Sequence, residues 1–172
     1  MIDVLVIGCG GAGLTAALAA TKEGASVTVT GKTYPTNSQT SMAQGGMNAA
    51  LGNVEEDHIN SHIADTIRSA HGLCDDMMVE KMCTDAPETI AWLERLGVPF
   101  SRLDNGKIGI QTIAQRQMGG ASAKRACYAQ DYTGLKILHT LYDTCLKEEI
   151  DFLDEHYLLN LIVQDETVRG AT

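Results

Sequence analysis

Nowhere in the 172 residues does an apolar run approach the roughly 18 to 20 residues that a membrane helix needs, so no direct membrane span is expected. Basic residues are scarce as well: 13 Lys and Arg stand against 22 Asp and Glu, a formal charge of -9. Nucleic-acid binding draws on clustered cations to displace counterions, so DNA and RNA are not expected partners. Paired cysteines are missing too. Cys9, Cys74, Cys83, Cys127 and Cys145 are odd in number and scattered, with no CxxC pair and no zinc spacing, and read as free thiols in a reducing compartment. Internal repeats and low-complexity tracts are absent. The first strand starts so close to residue 1 that no room is left for a signal peptide or a twin-arginine leader, and the expected address is cytoplasmic.

What remains has the composition of a soluble globular chain, 44% hydrophobic and 20% charged, long enough for one real core. Val4, Leu5, Val6 and Ile7 form a short branched run suited to a parallel strand buried on both faces. Residues 14–23 are alanine-rich, with Gly24 as a helix stop, and residues 26–30 read as a second strand, which completes a βαβ unit. Residues 33–53 turn polar and lose the helical period, in a stretch long enough to imply a functional loop. Helical spacing returns with Ile59, Ile63 and Ile67, then with Met78, Met82 and Ala86, and Pro87 is expected to open a further helix ending at Gly97. These helices are expected to form a layer beside the sheet. Leu138, Leu141, Tyr142 and Cys145 mark another helix with an inward stripe. Residues 157–163 and 167–171 read as two strands around a turn at Asp165 and Glu166. The last strand would expose an edge unless later sequence paired with it, which points to a truncated chain.

Gly8, Gly10 and Gly13 form GxGxxG, with Cys9, Gly11 and Ala12 in the variable places. The first glycine permits a tight turn, the second lets the backbone approach a pyrophosphate, and the third lets helix and strand pack closely. Amides at the helix start would then meet the phosphates. The same glycines can also form a purely structural turn. The acid that usually ends the second strand of a dinucleotide fold is missing here, where the chain reads Thr30, Gly31, Lys32, and this counts against a plain NAD site. Lys32 is available to a phosphate or ribose oxygen, or is simply a solvated lysine at a strand end.

Tyr34, Pro35, Thr36, Asn37, Ser38, Gln39, Thr40, Ser41, Met42, Ala43, Gln44, Gly45 and Gly46 resemble the flavin loop of the succinate dehydrogenase and fumarate reductase flavoprotein family. So do Leu96 with Gly97, Val98, Pro99, Phe100, Ser101 and Arg102, then Gly119 with Gly120, and Asp131 with Tyr132, Thr133 and Gly134. Leu138, His139, Thr140 and Leu141, and Asp154, Glu155, His156 and Tyr157, extend the resemblance over the whole chain in order. The resemblance implies an α/β, Rossmann-like FAD-binding domain, a parallel sheet flanked by helices with the start of a β-meander, incomplete at its C-terminus. It implies an extended FAD with its pyrophosphate over Gly8, Gly10, Gly11, Ala12 and Gly13 and its ribose near Thr30, Gly31 and Lys32. Ser38, Gln39, Thr40, Ala43, Gln44, Gly45 and Gly46 would run beside the flavin ring, His156, Tyr157 and Leu158 past the adenine, and Gln44, Gly45 and Met118 on the substrate side.

The implied reaction is hydride transfer between flavin and a C4 dicarboxylate, fumarate or succinate, with electrons exchanged with an iron-sulphur subunit and through it a membrane anchor. That would place the protein on the cytoplasmic face of the inner membrane. The substrate-gripping and proton-delivering residues are expected beyond position 172, on a capping domain and a returning segment, so no catalytic residue is assigned here. Three positions depart from the family. Gln39 stands where many members carry a histidine bonded to the flavin, and an amide is a poor nucleophile, so FAD is expected to be noncovalent. Gly31 stands where serine is frequent, and Met118 where an aromatic often precedes the paired glycines. L-aspartate oxidase, which holds FAD noncovalently, is the alternative enzyme, and a flavin-binding module without turnover is the alternative outside enzymes.

Among other residues, His58 and His62 read as exposed helix histidines and not as metal ligands. His139 reads as a satisfied histidine beside its helix, and His71 as a loop closure. Met77, Met78 and Met82 are expected in the core, and Cys9 as a small buried residue. Arg68, Arg95, Arg102, Arg116, Arg125 and Arg169 show no convergent cluster, with Arg116 and Arg125 nearest the flavin face.

Overall fold

A computed structural model describes residues 2–172. In chain order the elements are β1 Val4–Ile7, α1 Gly11–Lys22, β2 Val27–Gly31, β3 Met47–Asn48, α2 Ile59–Ala70, α3 Asp76–Leu96, β4 Gln115–Arg116, β5 Ala126–Cys127, α4 Thr133–Lys147, β6 Asp151–Asp154, β7 Leu161–Gln164 and β8 Thr167–Ala171. Single 3-10 turns lie at Pro35–Asn37, Gln39–Met42 and Gly109–Thr112. The chain divides into two compact units, one formed by the chain up to Met42 together with Ile137–Thr172, the other by Ala43–Lys136.

The first unit carries a parallel sheet in the order β1-β2-β6, with Val4 opposite Val27 and Thr28 opposite Asp151. Helix α1 seats Leu14 and Ala17, both fully buried, and ends where Gly24 takes a φ of 87°. Leu138, Leu141 and Cys145 of α4 are buried as their spacing requires, and the Cys145 thiol reaches the Leu14 carbonyl at 3.8 Å. Tyr142 stacks edge-on against Phe152 at 5.0 Å between ring centroids. β7 and β8 form an antiparallel hairpin whose turn residues, Asp165 and Glu166, both have positive φ, the conformation that matches strand twist in a two-residue hairpin loop.

Two expectations change in this unit. β1 is not buried on both faces: burial alternates along it, with Leu5 and Ile7 39% and 42% exposed, so among the described residues one face of the strand is left open. β6 supplies the third parallel strand, and β7 begins at Leu161, so residues 157–160 are outside it.

The second unit holds a small antiparallel sheet in the order β3-β5-β4, with Cys127 of β5 opposite both Met47 and Gln115. α2 and α3 pack on each other. α3 begins with Asp75, whose carboxylate accepts from the amides of Met77 and Met78 at 2.9 and 3.2 Å, and ends at Gly97 with φ 106°. It runs straight through Pro87 instead of restarting there. Val79, Cys83, Ala86, Ile90 and Leu93 are buried at spacings of 4, 3, 4 and 3 on both sides of the proline, and burying that stripe outweighs the about 3 kcal/mol that an interior proline costs. The same register corrects the methionines. Met77, Met78 and Met82 are 74%, 63% and 53% exposed, since Met78 and Met82 each sit one residue, about 100° of helix, ahead of the buried Val79 and Cys83.

Candidate functional site

In the first unit the glycine turn has the shape its sequence implies. Gly8 has a φ of 116° and would have no atom within 4 Å of a Cβ, so the turn needs a glycine and faces open space. A Cβ on Gly13 would overlap the Gly8 carbonyl oxygen, so the third glycine is what lets α1 approach β1. Gly10 caps α1 without a side chain. The first amides of a helix have no partner within it and carry the positive end of its dipole. Here one of them, Gly11 N–H, is met by Thr40 Oγ1 at 2.9 Å. Ser38 Oγ, a Cβ-to-oxygen distance of 3.6 Å from Gly10, is buried with no partner. The Ser38 hydroxyl is thus left as an unpaired polar group beside the helix start.

The strand end is tied into the same unit. Gly8 N–H donates to the Thr30 carbonyl at 2.7 Å, Thr30 Oγ1 donates to Leu153 O at 3.0 Å, and His156 N–H donates to Gly31 O at 3.0 Å. Thr30, His156, Tyr157 and Leu158 share the lining of a cavity of about 180 Å³ with Leu5 and Ile7. Lys32 and Gln39 are exposed. Cys9 is buried, its thiol pushed up by burial and directed at the Thr33 carbonyl at 3.6 Å, so it is a small inert residue as expected.

Ala43, Gln44, Gly45, Gly46 and Met118 belong to the second unit. Arg116 holds their main chain: Nε donates to Gly45 O at 2.8 Å, and Nη2 donates to Gln44 O at 2.8 Å and to Gln130 O at 3.2 Å. Its guanidinium lies over the Tyr128 ring at 4.5 Å from the centroid. Gly46 has a φ of 128°, and a Cβ there would lie 2.7 Å from Cys127 O, while one on Gly45 would overlap Met118 Cε. Gly46 is therefore demanded by its neighbours and its φ, whereas a side chain on Gly45 would only require the Met118 side chain to move.

A second cluster was not visible as a pattern. Arg125, 1% exposed, donates through Nε and Nη2 to Asp57 at 2.9 and 2.8 Å and through Nη1 to Asp65 at 2.7 Å. Asp65 also accepts from the Ser122 amide and hydroxyl, both at 2.7 Å, and from Arg68. Arg68 reaches on to Gly120 O at 2.9 Å. Burial alone would raise the Asp65 pKa, but the bonds from Ser122, Arg125 and Arg68 outweigh it and hold the carboxyl well below the usual range. His62 is 3% exposed and its Nδ1 has no partner, which overturns the expectation of an exposed histidine: α2 turns its polar residues His62 and Asp65 inward toward Arg125. Burial, then the Arg125 charge, lowers its pKa. Arg68 and Arg125 thus converge on one carboxylate. Arg68 is three residues from Asp65, a helical spacing, but Ser122 and Arg125 lie 57 to 68 residues from the two carboxylates, so no spacing announces their part. His139 is exposed, and His71 closes α2 with a φ of 50°. Among the described residues no group of three His, Cys, Asp or Glu side chains is placed to hold a metal, and no helix is long and apolar enough to cross a membrane.

Comparison with known proteins agrees with this geometry. The family described as "FAD binding domain" matches residues 3–172. The succinate dehydrogenase flavoprotein subunit of Rickettsia felis is 43% identical over 177 residues, covering 98% of this chain and 29% of the relative. The Mycobacterium smegmatis Sdh1 complex in its apo form superposes with a TM-score of 0.89 at 34% identity, covering 99% of this chain and 30% of that one. E. coli quinol fumarate reductase superposes with a TM-score of 0.89 at 35% identity, covering 99% and 28%. The chain spans about 29% of the length of the curated relative it matches. By sequence over nearly its whole length it belongs to the FAD binding domain family, and in sequence and fold it is similar to the flavoprotein subunits of succinate dehydrogenase and to fumarate reductase.

Proposed function

We propose that the first unit holds the dinucleotide part of a noncovalent FAD. The observation that carries this is the unpartnered, buried Ser38 Oγ beside an α1 start that has no side-chain cap. A pyrophosphate oxygen would satisfy both the hydroxyl and the amides of Gly10, Ala12 and Gly13, the Gly11 amide being taken by Thr40, and the open face of Gly8 leaves room for it. Thr30, Gly31 and Lys32 are assigned to the ribose end, and His156, Tyr157 and Leu158 to the adenine. Gln39 is exposed and carries an amide, so this chain offers no nucleophile at the position that the resemblance associates with a covalent bond. Ala43, Gln44, Gly45 and Gly46, with Met118, are assigned to the flavin and substrate side on the resemblance alone, supported by the way Arg116 fixes the carbonyls of Gln44 and Gly45.

The proposed activity of the whole protein is oxidoreduction of a C4 dicarboxylate, for which bound FAD supplies the hydride carrier. An iron-sulphur subunit and, through it, a membrane anchor are the proposed partners, on the cytoplasmic side of the membrane. This chain's own part is to bind and orient the cofactor.

Titrating the purified chain with FAD, followed by flavin fluorescence, tests the reading. Wild type should bind saturably. Ser38→Ala should bind about tenfold or more weakly, as expected for losing a hydrogen bond to a charged group. A chain that takes up no FAD, or a Ser38→Ala variant with wild-type affinity, contradicts the assignment.

A further inference from the structure

Gly31 is the last residue of β2 and is buried, yet its backbone does not need a glycine: its φ is not in the positive range. What forbids a side chain there is a single neighbour. A Cβ built on Gly31 would lie 2.5 Å from Cys9 Sγ, 3.4 Å from Cys9 Cβ and 3.5 Å from Cys9 N, and these are its three nearest atoms. Cys9 in turn cannot easily give way. It is 6% exposed, sits between the two glycines that make the phosphate turn, and points its thiol at the Thr33 carbonyl.

We infer that Cys9 and Gly31 form a size-coupled pair that positions the ribose end of the cofactor cradle, with the side chain carried by the turn and not by the strand. This rests on the FAD reading above and deepens it. The ribose end is thereby left with Thr30, main-chain groups and Lys32 as its contacts at the strand terminus. A serine at position 31, the residue frequent at this place in the resemblance noted above, would drive Cys9 Sγ out of its slot and move the turn that offers its amides to the pyrophosphate. Removing Sγ leaves contacts of 3.4 Å to Cys9 Cβ and 3.5 Å to Cys9 N, which are close to ordinary packing. The pair can therefore be exchanged: an alanine at 9 admits a serine at 31, and the hydroxyl returns to the strand end as a ribose partner.

The test is a double-mutant cycle on the full chain with Gly31→Ser, Cys9→Ala and the two combined, read by FAD affinity and by thermal unfolding without FAD. Gly31→Ser alone should weaken FAD binding about tenfold or more and lower the Tm, the expected scale for overpacking. The combined variant should recover to within about threefold of wild-type affinity and regain the Tm, so that the two changes are far from additive. Additive effects, or a Gly31→Ser chain that keeps wild-type affinity and Tm, overturn the pairing. The two readouts separate the claims: failure of wild type to bind FAD sinks the cofactor reading while the unfolding cycle still decides the pair, and an uncoupled cycle with normal FAD binding sinks only the pair.

Discussion

Replacing Asp65 by alanine should destabilise the second unit more than any exposed charge change. Asp65 accepts from Arg125, Arg68 and both donors of Ser122. Removing it leaves Arg125, 1% exposed, with Asp57 as its one carboxylate partner and a 3.3 Å bond to Ser122 Oγ, and leaves the Ser122 amide without its acceptor. Breaking a buried pair from one side costs about 3–5 kcal/mol, because the remaining charge stays desolvated. The orphaned amide would cost about 1–3 kcal/mol by itself, but the two losses share one carboxylate and are not simply summed. A loss of about 3–5 kcal/mol is a large part of the stability of an ordinary domain. The assay is urea unfolding followed by fluorescence of Trp92, the single tryptophan, which lies in α3 of the same unit. Asp65→Asn, which keeps the shape and removes the charge, should lose nearly as much. A loss under about 1 kcal/mol for Asp65→Ala would mean that the cluster behaves like a solvated surface pair, and would refute the reasoning.

Acid should weaken the second unit in two stages. His62 has a lowered pKa in the folded chain, so its contribution falls away as pH drops below its unfolded value of roughly 6.5, and Asp65, also lowered, gives stability that is present above roughly pH 4 and is lost as pH falls further. Stability measured by urea unfolding from pH 8 to pH 3 should show both, and Asp65→Asn should flatten the lower limb. Gly13→Ala, which puts a methyl into the Gly8 carbonyl, should abolish FAD uptake and lower the Tm by several degrees; a variant that still binds FAD normally would remove the third glycine from the argument. Met77→Gln with Met78→Gln should change stability by no more than about 0.5 kcal/mol each, since both side chains face water; a loss of 2 kcal/mol or more, on the scale of a truncated core side chain, would restore them to the core.

The elements read well where one local rule decides. The branched run of β1, the glycines that start α1, and the stripe of Leu138, Leu141 and Cys145 each carry their own signal, and all appear where the spacing puts them. The hairpin of β7 and β8 turns at Asp165 and Glu166 even though neither is glycine. Where two rules compete, the sequence is ambiguous. Pro87 breaks helices in isolation, but a continuous buried stripe carries α3 through it. Met78 and Met82 share a spacing of four with Val79 and Cys83 of the buried stripe and differ only in register, which needs a partner surface to define. His62 and Asp65 look like surface residues until Arg125, the residue just before β5 and 60 residues from Asp65, arrives, and a single sequence holds no trace of that pairing. The glycine turn was legible at residues 8–13 because Gly8 and Gly13 have no room or backbone conformation for another residue, whereas the orphan state of Ser38 and the steric link between Cys9 and Gly31 exist only in three dimensions.

The visible absorption spectrum of the purified chain, taken before and after acid precipitation, tests the central claim most directly. A flavin band that reports bound FAD and passes into the supernatant with acid is the predicted result, and it fits Gln39 in place of a nucleophile. Flavin that stays with the precipitated protein would contradict noncovalent binding, and a colourless chain that takes up no added FAD would contradict the assignment of residues 8–13 and Ser38 as a cradle that works in this chain.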